Sequence, residues 1–268
     1  VVTSLIWTAS QALALPLSAF QDPQAQCFDR TRDGHLSVVD SHLHFMPFGG
    51  PGIPYDDMLA YAKRSGVRFV NVYGIGQTLP KFSSCVYYLD CPGVEVAPNP
   101  RNDVRNAEVF LRTKSPDVHV TVSMTFPDAQ HPATIMPIFE DLEARFPDVF
   151  HWAGEINLVK QALFNNGHYA ASEEDLRAMA PFMQALLERD MPLTIHADLG
   201  NIEAPFQYFE LIDQFLALYP NNKIVWAHMG LSKELTHLDA RQHIAIMTEW
   251  LQRYPNLAID LAWRVIDD

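Results

Sequence analysis

Two histidines one residue apart, His42 and His44 in Asp40-Ser41-His42-Leu43-His44-Phe45, follow the apolar run Leu36-Ser37-Val38-Val39. Side chains alternate along a strand, so both rings would leave the same face. Three more residues of ligating type end other apolar runs. They are Glu155 in Trp152-Ala153-Gly154-Glu155-Ile156, His196 in Leu193-Thr194-Ile195-His196-Ala197-Asp198, and His228 in Ile224-Val225-Trp226-Ala227-His228-Met229-Gly230. Imidazole nitrogen and carboxylate oxygen suit a borderline divalent ion, zinc first, with manganese, iron or cobalt also served. A single strand-end histidine is more often a hydrogen-bonded structural residue than a ligand. Four histidines and a glutamate at the same end of four strands predict a metal centre.

What must position these residues is an alternation of strands and helices. Strands are expected at 36–40, 67–75, 118–126, 150–156, 193–197, 224–228 and 257–262, several of them near-continuous apolar runs of the kind buried on both faces. Helices are expected at 55–65, 103–114, 134–146, 173–189, 206–219 and 238–254, the fourth opened by a capping box at Ser172 and Asp175. The pattern predicts an α/β fold, a (β/α)8 TIM-type barrel. An open doubly wound sheet fits less well, because no Gly-rich phosphate fingerprint follows the first strand. In a barrel all parallel strands end on one rim, where chemistry collects. The Pro-rich stretch from Gly76 to Arg101 is expected to cover one mouth. Asp268 comes just after the seventh strand. The barrel is therefore expected to lack its eighth strand here, and the sequence reads as a fragment of a longer protein. Residues 1–34 are expected to form a leader or N-terminal extension, and residues 35–268 the incomplete barrel.

Composition narrows the class of partner. The chain of 268 residues is 48% hydrophobic and 19% charged, a globular balance. Its formal charge of −13 disfavours a nucleic-acid partner, since an acidic surface repels phosphate. No apolar run reaches the roughly 18–20 residues needed to span a bilayer. Residues 1–26 carry no basic residue and no acid before Asp22, with small residues at Ala12-Leu13-Ala14 and Ser18-Ala19. That stretch reads either as the end of a signal-peptide apolar core or as a plain extension. Of three cysteines, Cys85 and Cys91 bracket a Tyr-rich segment and could close a disulfide, which would fit export; as free thiols they would fit the cytoplasm.

The ordered set of HxH on the first strand, an acid on the fourth, and histidines on the fifth and sixth resembles the amidohydrolase superfamily. The segments DSHLHF, AGEI, LTIHAD and VWAHMG most resemble its amidohydrolase-related (amidohydrolase 2) branch, from about Leu36 onward. The resemblance implies a site holding one or two divalent ions. His42, His44, Glu155, His196 and His228 would be the ligands, with Glu155 bridging or else hydrogen-bonded to a ligand histidine. It implies a metal-dependent hydrolase whose metal-activated hydroxide attacks the carbonyl of a small-molecule amide, lactone or ester, with His228 or the metal stabilising the oxyanion. Because the histidines bind as neutral rings, activity is expected to fall at acid pH. The superfamily's strand-eight aspartate, its proton shuttle, has no counterpart in this sequence.

Two other readings stay open. Relatives with HxH and two downstream histidines decarboxylate aromatic acids through one metal, and a non-catalytic metal-binding barrel is a third possibility. A nuclease role, raised by the likeness of Glu155 to the strand-four glutamate of TatD-type deoxyribonucleases, is disfavoured by the acidic charge. Asp260 reads as a pocket or hydrogen-bonding residue on the seventh strand rather than a ligand, and Tyr73 and Trp263 as further pocket residues. Trp152 and Trp226 read as barrel filling and Lys160 as a solvated loop residue. The seven remaining histidines, His35, His119, His131, His151, His168, His237 and His243, read as structural or solvent-facing.

Overall fold

The computed structural model describes residues 38–44, 53–80, 82–115, 117–235 and 238–262. The expected leader, His35, His237 and Trp263 lie outside these residues. Their strands, in chain order, are β1 (Val38–His44), β2 (Val67–Tyr73), β3 (Gln77–Thr78), β4 (Ala97–Pro98), β5 (His119–Met124), β6 (Phe150–Val159), β7 (Leu193–Ala197), β8 (Ile224–Trp226) and β9 (Leu257–Ile259). The helices are α1 (Tyr55–Arg64), α2 (Arg101–Arg112), α3 (Ile135–Arg145), α4 (Glu173–Ala178), α5 (Ala180–Glu188), α6 (Phe209–Leu218) and α7 (Ala240–Arg253).

Seven strands form one curled parallel sheet in the order β1-β2-β5-β6-β7-β8-β9, the arrangement of a (β/α)-barrel wall. Every crossover between neighbours carries a helix, which is what parallel pairing requires. The central strands are apolar because both faces are covered: β7 is buried along its whole length. Each helix turns one stripe inward. In α3 the buried residues are Ile135, Phe139 and Leu142, and in α6 they are Ile212, Phe215 and Leu216, both at helical spacing. Phe139, Phe182, Phe215, Trp226 and Trp250 are fully enclosed, each contributing on the order of 2–3 kcal/mol by removal from water.

The expected helix over 173–189 is two helices meeting at Met179. Pro181 has no amide hydrogen and its ring crowds the carbonyl of residue 177, so the helical bonding cannot run through. The capping box forms: Ser172 Oγ accepts from the amide of Asp175 at 3.1 Å, and Asp175 Oδ2 accepts from the amide of Ser172 at 2.8 Å. The fourth sheet strand is longer than expected, continuing to Val159, so Glu155 lies inside a strand and not at its end. The sixth is shorter, stopping at Trp226, after which His228 and Met229 adopt left-handed φ of 57° and 54°.

Residues 76–101 form a small annex rather than a bare loop. β3 and β4 pair antiparallel, a 3-10 turn spans Tyr88–Asp90, and Cys85 is disulfide-bonded to Cys91. Ile75, Tyr88, Val96 and Leu163 make a core of their own here, separate from that of the barrel.

Candidate metal centre

β1 delivers the two leading histidines through a bulge. Its register against β2 slips between Asp40 and Leu43, and the amide of His42 is taken by Asp40 Oδ1 at 3.1 Å. An extra residue in one strand re-aims side chains, and here it brings Nε2 of His42 to 3.2 Å from Nε2 of His44. β6 delivers Glu155 next to a residue that only glycine can be. Gly154 has φ +89°, and a Cβ there would run into the carbonyl oxygen of Thr194 on β7. β7 and the left-handed turn after β8 supply His196 and His228.

The four rings and the carboxylate converge. Glu155 Oε2 lies 3.1 Å from His42 Nε2 and 3.3 Å from His44 Nε2, while Oε1 lies 2.5 Å from His196 Nδ1 and 3.1 Å from Lys160 Nζ. Oε2 therefore faces His42 and His44, and Oε1 meets His196 and the Lys160 ammonium. Among the described residues three groups could each hold an ion: His42, His44 and Glu155; Glu155, His196 and His228; and His42, His228 and Asp260.

The outer nitrogen of each ring is engaged by an acceptor, which fixes the tautomer. His42 Nδ1 donates to Asp260 Oδ2 at 2.8 Å, His44 Nδ1 to the Gly74 carbonyl at 3.0 Å, and His228 Nδ1 to the Ala262 carbonyl at 2.9 Å. His196 is reversed, with Nε2 donating to Asp198 Oδ1 at 2.9 Å. In the neutral rings the inner nitrogens, Nε2 of His42, His44 and His228 and Nδ1 of His196, then carry lone pairs. Four lone pairs and an ionised carboxylate aimed at one place demand a cation, so the residues fit a divalent ion. The third group would take an ion only by giving up the bond between His42 Nδ1 and Asp260 Oδ2. Asp260, directly after β9, also accepts the amides of His228 at 2.8 Å and Ala262 at 3.1 Å through Oδ1, and so orients the ligand histidines.

The electrostatics agree with that demand. Burial opposes a charged His42, but Asp260 and Glu155 outweigh it and push the ring up to about 9. A proton thus fills the place a cation would take. Burial holds His44 below its usual value, and burial with the neighbouring His196 brings His228 down to about 3. Burial pushes Glu155 up, yet Lys160, His196 and His42 hold it well below the usual carboxylate range. Its charge is secured by these partners. His228, neutral and with Nδ1 tied to a carbonyl, offers the cluster an acceptor and no N–H.

Lys160 is buried and ion-paired with Glu155, not the solvated loop residue its position suggested. Tyr73, expected in the pocket, lies beneath it: fully buried, its ring packs on His42 and its hydroxyl meets Thr194 Oγ1 at 2.6 Å. His168 and His243 are buried, His243 on the Met229 carbonyl, and His119, His131 and His151 are exposed. Sequence reasoning passed over Asp198, although LTIHAD places it two residues after His196 and hence on the same face. The cluster opens into a cleft of about 170 Å³ whose lining includes Tyr87, Tyr88, Leu89, Ala162 and Lys233.

The described strands thus form a parallel (β/α)-barrel wall that carries a histidine–carboxylate cluster able to hold a metal ion. The amidohydrolase family model (amidohydrolase 2) matches residues 158–267, which include His196, His228 and Asp260. No curated protein matches its sequence. The crystal structure of dihydroorotase from Campylobacter jejuni is similar over 85% of this chain and 54% of that one, with 14% identity and a TM-score of 0.43. The chain thus spans about half the length of that protein. No described helix is long and apolar enough to cross a membrane.

Proposed function

We propose that this enzyme of the amidohydrolase superfamily is a metal-dependent hydrolase acting on a small-molecule amide, lactone or ester, with zinc as the first choice of ion. The observation that carries this reading is the convergence on Glu155, whose Oε2 faces His42 and His44 and whose Oε1 meets His196, with a ligand atom of His228 within 4.8 Å of the group. His42, His44 and Glu155 would hold one ion, and Glu155, His196 and His228 a second, with the carboxylate between them. A divalent ion held there supplies Lewis acidity, polarising a carbonyl and making water acidic enough to attack at neutral pH.

The chain's own residues do the rest. Asp260, Asp198 and the carbonyls of Gly74 and Ala262 hold four rings in the tautomers that bind. His228 acts as a ligand, since its Nδ1–H is spent on the Ala262 carbonyl and its ring stays neutral. The oxyanion role that the family resemblance offered it passes to the Lys160 ammonium, which lines the cleft and faces negative charge developing on a substrate oxygen.

Lys160 also favours a second reading. Its ammonium already occupies Glu155 Oε1, so a single ion beside Oε2 would leave Glu155 as an ion-paired neighbour, the arrangement suited to a one-metal decarboxylase. Elemental analysis of the protein and of Glu155→Gln separates the two. Two ions falling to one supports the bridged hydrolase; one ion in both supports the lyase; none in either after reconstitution with zinc overturns the metal reading.

A further inference from the structure

The annex over residues 76–101 reaches the cleft with Tyr87, Tyr88 and Leu89, and the disulfide Cys85–Cys91 closes the segment that carries them. One side chain holds this segment to the barrel. Asn166, 1% exposed, shares the two hydrogens of its amide nitrogen among the carbonyls of Tyr88, Cys91 and Val94, each at 3.0 Å. Backbone bonds flank it: the amide of Gly93 donates to the Asn165 carbonyl at 2.6 Å and that of Val96 to the Asn166 carbonyl at 3.1 Å. Asn166 closes the 3-10 segment Gln161–Asn166, which starts immediately after Lys160 and contributes Ala162 to the same cleft. Tyr87 and Leu89 pack against the annex core of Ile75, Tyr88, Val96 and Leu163.

We propose that this clasped segment is the specificity wall of the site. The wall accepts a planar apolar group, such as an aromatic ring, on a ligand whose oxygen-bearing head faces the histidine–glutamate cluster. Tyr87 and Leu89, partly exposed at the cleft and packed against the annex core that holds Tyr88, present apolar area for stacking and none for a charge. The disulfide and Asn166 fix the backbone under them before a ligand arrives, so ordering the wall costs little at binding. Opening the clasp should therefore cost selectivity and leave the metal centre intact. The inference rests on the metal reading above, since the head group needs something to face.

The test uses zinc-loaded protein titrated by calorimetry with acetohydroxamate and benzohydroxamate, which share a metal-seeking head and differ in methyl against phenyl. The wild type should prefer benzohydroxamate by about tenfold or more. The Cys85→Ser/Cys91→Ser double variant, Asn166→Ala and Tyr87→Ala should lose most of that preference while keeping their zinc content and their affinity for acetohydroxamate. Serines are used because thiol reductants would themselves take the metal. Tyr87→Ala leaves both clasps in place, so the wall is tested even where a clasp variant fails to fold. Equal affinities in zinc-loaded wild type overturn the wall alone. Loss in Tyr87→Ala with full retention in both clasp variants overturns the part played by the clasp. A wild type that takes up no zinc overturns the metal reading and this inference with it.

Discussion

Asp198 Oδ1 accepts the Nε2–H of His196 at 2.9 Å while its Oδ2 accepts the backbone amide of Gln161 at 2.8 Å, so a residue 1% exposed ties the His196 ring to the turn that follows β6. Both oxygens are filled by donors, which leaves Asp198 to orient and polarise His196. Asp198→Asn should weaken zinc affinity about 10–100-fold, the usual effect of losing the carboxylate behind a ligand histidine, with little change in the unfolding midpoint. Competition against a chelator of known affinity measures the first and thermal denaturation the second. Unchanged affinity would remove Asp198 from the site.

Lys160 stands 3.1 Å from Glu155 Oε1 with both side chains buried. Lys160→Met keeps the length and removes the charge. If the ammonium faces developing negative charge, kcat on a hydrolysed substrate should fall about 100-fold or more with KM changed much less. If instead it only neutralises Glu155, zinc stoichiometry should rise and kcat hold. Steady-state kinetics beside elemental analysis distinguishes the outcomes.

Asp103 on α2 ties that helix to the end of β5, accepting from Thr125 N and Phe126 N at 3.0 Å each and from Thr125 Oγ1 at 2.5 Å. Burial outweighs these bonds and pushes its carboxyl from 3.8 up to about 7. A folded-state value above the unfolded one means that between these pH values the folded chain keeps a proton the unfolded chain has lost. Stability relative to Asp103→Asn should therefore decline as pH rises from about 4 to about 7, by at most about 1.4 kcal/mol per pH unit, and level off above. Urea unfolding of both proteins across that range checks it; a pH-independent difference contradicts it.

Gly154 combines φ +89° with an approach to the Thr194 carbonyl that leaves no room for a Cβ. Gly154→Ala must part β6 from β7 next to Glu155, so the cost should exceed about 3 kcal/mol and zinc uptake should fall together with stability. Denaturant midpoints and zinc stoichiometry on the same preparation would show both, and a variant as stable as wild type would contradict the close packing.

Much of the fold was legible because it rests on local patterns. The strand runs and amphipathic stripes gave seven of the sheet strands within a few residues, and Leu193–Ala197 to the residue. The misplacements have physical causes. Pro181 splits a helix whose apolar period runs straight through it, and β6 continues past Glu155 because Ile156, Leu158 and Val159 are all buried. The turn after Trp226 departs from the strand because His228 and Met229 go left-handed, a choice their residue types do not announce. Cys85 and Cys91 could be paired on paper, but nothing in CVYYLDC said that its tyrosines line the cleft beside the histidine–glutamate cluster.

By itself the sequence determined which residues of ligating type exist, their order and their placement on or just after parallel strands, because side-chain chemistry and the period of a strand are properties of a few neighbouring residues. Only the tertiary structure decided what each ring does. The bond from His42 to Asp260 joins residues 218 apart and that from His228 to the Ala262 carbonyl residues 34 apart, and these pairings choose the tautomers. They also turn Lys160 inward, put Tyr73 beneath the site and make Asp198 a partner of His196. Hydrogen-bond geometry and burial set the charge and direction of a donor group, and both arise where distant segments meet.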